Sequence, residues 1–538
     1  MTRVVSRALL TGMTLCLVAA AAPGSLANGR GTPAGGTARG EGPSALPDRA
    51  LPLGPAGLEE TRATTTIAPG VDYTRIVRGE QSPDDGYVVD ILFASTLDEA
   101  EALAGELAAD GYDVRVEKIT AARPTGAPER VLGYLVRSRE LATVEEANAL
   151  FARLTADGYT GLRVVYSGED GKPTTGPWVV NVLEVDYEAF EGEVDAALAT
   201  EVVPGLERLT ALAGRTDALA AINGGYFVIG AADGTPGDLA GISVLDGSLV
   251  SEAVNGRTSL LLRSGAHEGA AVGRLSSLTE ASSSDGASRL VDGLNRAPGL
   301  IRGCGGRGGD EPTQRPLHDF TCTDDDELIH FTPAFGPASE PGEGAEVALD
   351  ADGIVVEVRD TRGGAIPAGG SVLAGTGSGA TWLKRHAPVG ADLTIESDVY
   401  RGEHALALGR GPVSVVNGGP RLLRGRAVRI TSSAEGFVRP DEPEFFYRFG
   451  IRRNPRTIAG VTGDGRLLLV TVDGRAPGHS VGFSFLESAR VMRALGALDA
   501  VNLDGGGSTT MTVGDDLVTR PSDTTGERPI ADAILLDR

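Results

Sequence analysis

The stretch AVNLDGGGST at residues 500–509 joins an apolar, β-branched run to one carboxylate, three consecutive glycines and two hydroxyls. The apolar run is typical of a buried β-strand, and glycines at a strand end allow a left-handed backbone and close approach of a ligand to the main chain. The stretches AAINGGYF at residues 220–227 and VSVVNGGP at residues 413–420 share this design. One Asn-Gly-Gly is most often a simple hairpin turn, but three such strand ends predict one shared site.

These stretches lie in a long segment with many short β-type runs and few helical ones. The first run is Trp178–Val185, and another, Leu467–Val472, ends at a carboxylate, Asp473. Helical spacing of apolar residues occurs around Val194–Ala213 and Phe485–Leu495. The pattern predicts a single large α+β domain with a β-rich core over residues 177–538.

An internal repeat precedes this domain. The sequence from Gly86 to about Tyr166 repeats itself at a spacing of 47 residues, and each copy places one amphipathic helix between two strand-like runs. Thr96 and Thr143 each stand three residues before a glutamate, the form of a capping box. Two β-α-β units predict a small ferredoxin-like βαββαβ domain over residues 80–172.

The repeat resembles the SPOR-like repeats of cell-wall proteins, which bind peptidoglycan. The resemblance implies that residues 80–172 fold on their own and bind glycan strands through an open sheet face. On that face Tyr87, Tyr134 and Tyr166 would stack on sugars. A spacer, or a prosegment packed on the next domain, is the alternative.

The N-terminus has the order of a secretory signal peptide. Two arginines precede an apolar run, and the small-x-small sequence Ser25-Leu26-Ala27 follows it, so residues 1–27 are predicted to be cleaved. A membrane anchor is the less favoured alternative, and no other segment is apolar enough to span a bilayer. Residues 28–79 are predicted to be a flexible linker. The protein is expected to be secreted, with cell-wall association as a further possibility.

Composition excludes some classes of function. The chain has 538 residues and a formal net charge of −24, which argues against nucleic acid as a partner. Against this background, residues 421–456 contain nine arginines and four acidic residues. Such a basic segment in an acidic protein can hold an anion, although a solvated basic loop is equally consistent with the sequence.

Taken together, these motifs resemble the phosphodiester glycosidase family. The resemblance rests on the three glycine stretches, on NPRT at residues 454–457, on VDGR at residues 472–475, and on RPSD at residues 520–523 followed by GERPIA. It implies hydrolysis of a sugar-1-phosphodiester to a free sugar and a phosphomonoester, with a phosphorylated glycan as substrate. A catalytically silent wall-binding or exopolysaccharide-assembly protein is the alternative.

Site residues follow from the chemistry of this reaction. Because glycosyl transfer passes through a cationic sugar, a carboxylate must stabilise C1 or activate water. Asp504 is the predicted principal carboxylate, with Asp473 or Asp523 as second acid/base. Arg456 and Arg528 are expected to hold the phosphate, and Asn223 and Asn417 the sugar hydroxyls. The predicted substrate-binding set is Asn223, Gly224, Gly225, Asn417, Gly418, Gly419, Arg456, Thr457, Gly505, Gly506, Gly507, Ser508, Thr509, Arg520 and Arg528.

The sequence also predicts a disulfide and no zinc site. Without the signal peptide two cysteines remain, Cys304 and Cys322, and an even count in an oxidising compartment predicts a disulfide between them. No cofactor is expected, and zinc is disfavoured because the six histidines show no paired ligand spacing. Calcium at Asp324, Asp325, Asp326 and Glu327 is the alternative considered, although this run lacks the ligand order of an EF-hand loop.

Overall fold

The structure is a computed structural model. It describes residues 46–121, 130–254, 256–264, 269–302, 311–312, 321–408, 413–438 and 442–538. The predicted signal peptide, the first part of the predicted linker and Cys304 lie outside these residues. Cys322 is buried, and its disulfide with Cys304 stays a prediction. In the described ranges no helix is both long and apolar enough to cross a membrane.

Six helices and thirty-three strands make up the described secondary structure. The helices are α1 (Leu97–Ala109), α2 (Val144–Ala156), α3 (Leu209–Thr216), α4 (Gly377–His386), α5 (Pro443–Phe446) and α6 (Phe485–Ala494). The strands of the first half are β1 (Glu60–Ala68), β2 (Val71–Arg78), β3 (Tyr87–Ala94), β4 (Val114–Ala121), β5 (Arg130–Ser138), β6 (Arg163–Tyr166), β7 (Trp178–Val185), β8 (Glu193–Leu198), β9 (Ala220–Asn223), β10 (Ser243–Leu245), β11 (Ser248–Ser251), β12 (Thr258–Arg263), β13 (Gly269–Ser283), β14 (Ser288–Leu290), β15 (Gly293–Leu294) and β16 (Leu300–Arg302). Those of the second half are β17 (Glu311–Pro312), β18 (Thr321–Thr323), β19 (Leu328–Phe331), β20 (Gly342–Leu349), β21 (Val355–Arg362), β22 (Ser371–Gly375), β23 (Leu393–Arg401), β24 (His404–Ala405), β25 (Val413–Val416), β26 (Arg421–Arg424), β27 (Ala427–Val428), β28 (Arg456–Thr462), β29 (Leu467–Val472), β30 (Ala497–Asn502), β31 (Met511–Val513), β32 (Asp516–Leu517) and β33 (Asp532–Asp537).

Five sheets belong to the C-terminal part of the fold, a mixed, β-rich α+β architecture as the sequence predicts, and three of them pack on one another. The central sheet has the order β1-β2-β7-β29-β28-β30-β26-β27, the C-terminal sheet β32-β31-β9-β33-β8, and the outer sheet β11-β10-β25-β12-β13-β23-β24. One face of the central sheet packs on α6 through Trp178, Phe485 and Met492. Its other face packs on the C-terminal and outer sheets through residues such as Leu183 and Ile222. Short antiparallel ladders therefore hold strand ends from distant parts of the chain side by side.

The N-terminal hairpin corrects the predicted linker. Strands β1 and β2 lie at the edge of the central sheet, and β2 pairs with β7 along its whole length, from Val71 opposite Val185 to Arg78 opposite Trp178. The prediction of a flexible linker over residues 28–79 is therefore wrong for residues 60–78. The Thr, Val and Ile residues of this segment are β-branched and favour strands once a neighbouring ladder is available.

A second correction concerns the helix expected around Val194–Ala213. Residues 193–198 form β8 instead, paired with β33, and the helix α3 begins only at Leu209. Pro204 lies between the two elements and cannot donate an amide hydrogen bond, so one continuous helix is excluded. By contrast, β7, β29 and α6 occupy the segments that the sequence predicts.

The repeat unit, residues 80–172, has the element order β3-α1-β4-β5-α2-β6 and the sheet order β4-β5-β3-β6. The predicted helix starts are confirmed. Thr96 caps α1 by accepting a hydrogen bond from the Glu99 N–H, and Thr143 and Glu146 form a complete capping box on α2. These caps satisfy backbone N–H groups that have no partner within a helix.

One face of the repeat sheet is covered by the rest of the protein. Leu132 and Leu135 pack with Tyr447, and Tyr166 is buried in the core beneath the central sheet. Tyr134 lies on the other face, in the cluster formed with the helices. The prediction of an open sheet face on which three tyrosines stack on glycan is therefore wrong, because apolar burial against the larger domain occupies that face.

A buried ion network fixes the repeat unit to the larger domain. Arg137, with no exposed side-chain surface, donates to both Asp90 and Asp170. Arg452 of the larger domain lies 3.4 Å from each of the same carboxylates. Two guanidinium groups thus neutralise two carboxylates that burial would otherwise make very costly.

We predict that Arg137→Ala destabilises the protein by about 3 to 5 kcal/mol, because it leaves Asp90 and Asp170 buried with incomplete charge compensation. Urea denaturation measures the change in the free energy of unfolding. The matched control is Arg139→Ala, which removes an exposed ion pair with Asp113 and should change stability by about 0.5 kcal/mol or less. Equal effects of the two substitutions would show that the network does not hold the unit in place.

Candidate active site

The three glycine turns meet at one point, as the sequence predicts. The Asn223 side chain donates to the main-chain carbonyl of Asp504 at 2.9 Å. The Tyr226 N–H donates to the side-chain oxygen of Asn417 at 2.8 Å, and the Gly419 N–H donates to the Asn502 carbonyl, also at 2.8 Å. The ends of β9, β25 and β30 therefore build one site from three sheets.

The two asparagines hold the main chain rather than face outward. Asn223 is buried, and its Oδ1 accepts hydrogen bonds from the Thr457 hydroxyl at 2.6 Å and the Thr510 N–H at 3.1 Å. Asn417 is also buried, and its amide bonds both main-chain groups of Tyr226. The prediction that Asn223 and Asn417 bind sugar hydroxyls is therefore wrong, since main-chain and hydroxyl partners occupy both amides. Thr457 likewise acts as a positioning residue.

Asp504 lies half-buried at the start of the last turn. One of its carboxylate oxygens accepts the Gly505 N–H at 2.9 Å. Gly506 has a φ of +63°, a conformation that side chains rarely adopt. At Gly507 a methyl group would lie 2.2 Å from the Arg528 guanidinium and 2.4 Å from the Asp523 carboxylate, so both side chains would have to move. The turn thus carries one carboxylate and a main chain that charged groups approach closely.

Two arginines flank this turn. Arg528 forms an ion pair with Asp523 at 2.8 Å, in contact with Gly507. Arg475, which the predicted site omitted, lies 3.3 Å from the position that a side chain on Gly506 would occupy, and it donates to Asn454 at 2.9 Å. Its φ of +54° is unusual for a residue other than glycine, and such strain is found mainly at functional sites. The sequence signal was the Asp-Gly-Arg end of β29.

Arg456 does not direct its guanidinium towards the Asp504 turn. It is 1% exposed, donates to the main-chain carbonyls of Phe483 and Phe449, and stacks over the Phe485 ring at 4.4 Å. Burial lowers the pKa of its guanidinium to about 9. The prediction that Arg456 holds the phosphate is therefore wrong in this conformation, because its donors and its planar face are used inside the core.

The remaining predicted residues lie around the turn in different roles. Ser508 and Thr509 are buried, and within the described residues their hydroxyls have no hydrogen-bond partner. Arg520 is exposed, and its N–H donates to Asp473 at 3.0 Å. Gly224 accepts the Asp504 N–H and Gly225 donates to Asp532, while Gly419 donates to the Asn502 carbonyl, against which Gly418 also packs closely. Buried hydroxyls without protein partners favour a bound water or polar ligand group.

Asp473 is held apart from this turn by its own partners. It is buried at the end of β29 and bonds the His479 ring at 2.8 Å as well as the Arg520 N–H. Burial raises the pKa of Asp473, and the bond to His479 opposes that rise. His479 was not predicted, although its position six residues after Asp473 is a usable signal.

Asp532 is the carboxylate that the sequence reasoning missed. It is 2% exposed at the start of β33, and its Oδ1 accepts the Gly225 N–H at 2.8 Å. Burial, together with the negative charge of Asp504 and against the opposing Gly225 bond, raises the pKa of Asp532 to about 7. A carboxylate within the apolar run IADAILL, residues 530–536, was the available signal.

A cleft leads away from the turn and is walled by the repeat unit. A cavity of about 850 Å³ lies between β6 and the segment Arg452–Asn454, and an adjoining cavity of about 600 Å³ extends towards Phe93. Arg475, Asn454, Arg448 and Arg163 line both cavities. The repeat unit therefore contributes one side of the space beside Arg475, the arginine that also lies next to Gly506.

In the acidic run that was considered for calcium, Glu327 and Asp326 bind protein groups. The Glu327 carboxylate accepts from Arg296 at 2.5 Å and from the Gly299 N–H at 2.6 Å, and Asp326 accepts from the Ser378 N–H at 2.7 Å. Over the part of the chain that the structure describes, no group of three or more His, Cys, Asp or Glu side chains is arranged to hold a metal ion.

Comparison with known families agrees with this geometry. The sequence model of the phosphodiester glycosidase family matches residues 343–536, which include two of the three turns, Asp504 and Asp532. The match identifies a phosphodiester glycosidase domain over residues 343–536. The first turn, at Asn223, precedes the matched residues but packs against the Asp504 turn within them. No curated protein matches the chain significantly.

Several solved structures are similar to this chain over most of its length. A protein from Burkholderia pseudomallei K96243, whose name calls it an exported protein, is 36% identical, with a TM-score of 0.84 over 92% of this chain and 99% of that one. A hypothetical protein from Synechocystis is 18% identical, with a TM-score of 0.52 over 89% of this chain and 80% of that one, and shares the fold. The zebrafish N-acetylglucosamine-1-phosphodiester alpha-N-acetylglucosaminidase catalytic domain is 12% identical over 85% of this chain and 88% of its own, with a TM-score of 0.31.

The raised pKa of Asp532 predicts a pH-dependent stability. Between about pH 4 and pH 7 the folded protein keeps a proton that the unfolded chain has lost, so the wild type loses stability as the pH rises through this range. Asp532→Asn removes this titration. From pH 5 to pH 8 the free energy of unfolding of the variant should therefore rise, relative to wild type, by about 2 to 3 kcal/mol.

Urea denaturation at the two pH values measures this difference. Asp515→Asn, in the exposed turn between β31 and β32, is the control and should follow the wild type at both pH values. A stability difference for Asp532→Asn that does not change with pH would mean that Asp532 is already ionised in the folded protein.

Proposed function

We propose that the protein hydrolyses the bond between C1 of a sugar and the oxygen of a phosphodiester, releasing the free sugar and a phosphomonoester. The observation that carries this proposal is the turn at Asp504. There a half-buried carboxylate, closely approached main chain and two guanidinium groups, Arg475 and Arg528, surround one point. The match of residues 343–536 to the phosphodiester glycosidase family supports the same reaction.

Each group has a task in this reaction. As the bond from C1 to the phosphate oxygen breaks, its electron pair stays on the phosphate and C1 becomes positively charged. Asp504 would stabilise that positive charge. Arg475 and Arg528 would bind the phosphate oxygens, whose negative charge increases as the bond breaks. Because a phosphate is a weak base, its departure needs less protonation than that of a sugar alcohol.

Water completes the reaction by bonding to C1 and losing a proton to a carboxylate. Asp523, ion-paired with Arg528 beside Gly507, is the candidate for this task. Asp473 is less suited because it is buried and bonded to His479 and to the main chain. Asp532 touches the main chain of Gly225, so its proposed role is to position the first turn.

The substrate is proposed to be a phosphorylated glycan outside the cell. The Burkholderia relative, similar over nearly its whole length, carries a name that calls it exported, which agrees with the signal sequence read at residues 1–27. The cleft beside Arg475 has room for sugar units on either side of the phosphodiester. We propose the repeat unit as a wall of this cleft rather than a separate peptidoglycan-binding module.

The decisive experiment is to incubate the mature protein with a panel of sugar-1-phosphodiesters and to measure free sugar. Asp504→Asn should lower kcat by about 10²- to 10⁴-fold, because it removes the charge that stabilises C1. The free energy of unfolding should change by about 1 kcal/mol or less, because the asparagine oxygen can still accept the Gly505 N–H.

Asp515→Asn, which removes a neighbouring exposed carboxylate, is the control and should retain full activity. If Asp504→Asn stays within a few-fold of wild type, Asp504 is not the catalytic carboxylate. If the wild type releases no sugar from any member of the panel, the result favours the alternative, a catalytically silent wall-binding or exopolysaccharide-assembly protein.

A further inference from the structure

A second cationic site lies away from the glycine turns. Residues of strands β13, β23, β26 and β30, and of the segment around Arg429, line a cavity of about 600 Å³ between the central and outer sheets. Three separate segments of the chain bring arginines to it. These are Arg274, Arg401, Arg421, Arg424 and Arg429. Residues 421–429 belong to the basic segment singled out in the sequence, so the fold adds two further arginines from distant strands to it.

The charges of this arginine pocket are poorly balanced by the protein. Of the residues that line it, Asp499 alone is acidic, and it pairs with Arg421 at 2.9 Å. Arg274 and Arg401 donate to main-chain carbonyls, of Gly256 at 2.8 Å and of Val272 at 3.1 Å. Over the described residues, neither Arg424 nor Arg429 forms an ion pair. Four positive charges therefore remain uncompensated in a protein whose net charge is −24.

Arg421 is the buried member of this group, and the other four arginines are exposed around it. Burial lowers the pKa of the Arg421 guanidinium, Asp499 and Glu435 oppose that change, and the charges of Arg424 and Arg401 lower the pKa further. Like charges grouped in a cavity repel one another, and the usual compensation is a bound anion. Guanidinium groups are planar and donate paired hydrogen bonds, which match the oxygens of phosphate.

We propose that the arginine pocket binds a phosphate group carried by a glycan, at a site separate from Asp504. The cavity volume is sufficient for a phosphate and an attached sugar unit. The pocket shares no lining residue with the cleft beside Arg475. It lies next to the glycosidase site along the chain, because β26 begins directly after the Gly418-Gly419-Pro420 turn. This proposal does not depend on which carboxylate is catalytic.

Isothermal titration with inorganic phosphate, at constant ionic strength kept with sodium chloride, tests the pocket. The double variant Arg424→Gln/Arg429→Gln removes two exposed charges and should weaken phosphate binding by about tenfold or more. Arg490→Gln/Arg493→Gln removes the same charge from exposed positions of α6 and should bind as the wild type does. Arg424→Lys/Arg429→Lys keeps the charge and should bind better than the glutamine variant.

A second pair of variants separates the two sites. Arg475→Gln/Arg528→Gln removes the cations at the glycine turns, and the pocket should still bind phosphate in that protein. The proposal is overturned if the Arg424/Arg429 glutamine variant binds phosphate as tightly as wild type, or if the α6 control loses as much. It is also overturned if all binding disappears with Arg475 and Arg528, because the only phosphate site is then the glycosidase site. Loss of sugar release with phosphate binding intact would instead count against the proposed function.

Discussion

The hydrogen bonds of one buried amide, Asn223, determine the geometry on which the site depends. Its side chain bonds the Thr457 hydroxyl in β28 and, at the two ends of one glycine turn, the Asp504 carbonyl and the Thr510 N–H. Because all of these groups are shielded from water, leaving any of them without a partner would cost free energy. Asn223 therefore sets the position of the Asp504 turn relative to β28 and β31, while Asp504 itself faces the partly exposed side.

This arrangement explains which parts of the site could be predicted from the sequence. The strand-to-glycine pattern correctly indicated that three turns meet, since a buried strand and a flexible end are both local properties. Local sequence does not reveal whether a polar side chain at the strand end points outward or is used to bind main chain. Asn223, Asn417 and Arg456 were assigned to substrate for that reason, and the tertiary packing of other strands gives them internal partners instead.

In the N-terminal part, too, local sequence predicted some features of the fold and not others. The 47-residue repeat predicted its helices and their caps, because capping is decided within four residues. It could not predict that the sheet face is covered, since the partners, Tyr447 and Arg452, lie about 300 residues further along the chain. Residues 60–78 likewise become strands only beside β7, so their composition alone suggested a linker.

The acidic side chains around Asp504 differ in environment, and this difference bears on how protons are arranged in the site. Asp532 is buried and close enough to Asp504 for the charge of that carboxylate to raise the pKa of Asp532. Asp523 is instead paired with Arg528 and remains partly exposed. Two carboxylates in one low-dielectric space cannot both be charged at little cost. The burial of Asp532 against the Gly225 N–H favours its protonated form, so below about pH 7 Asp532 adds no second negative charge beside the Asp504 turn.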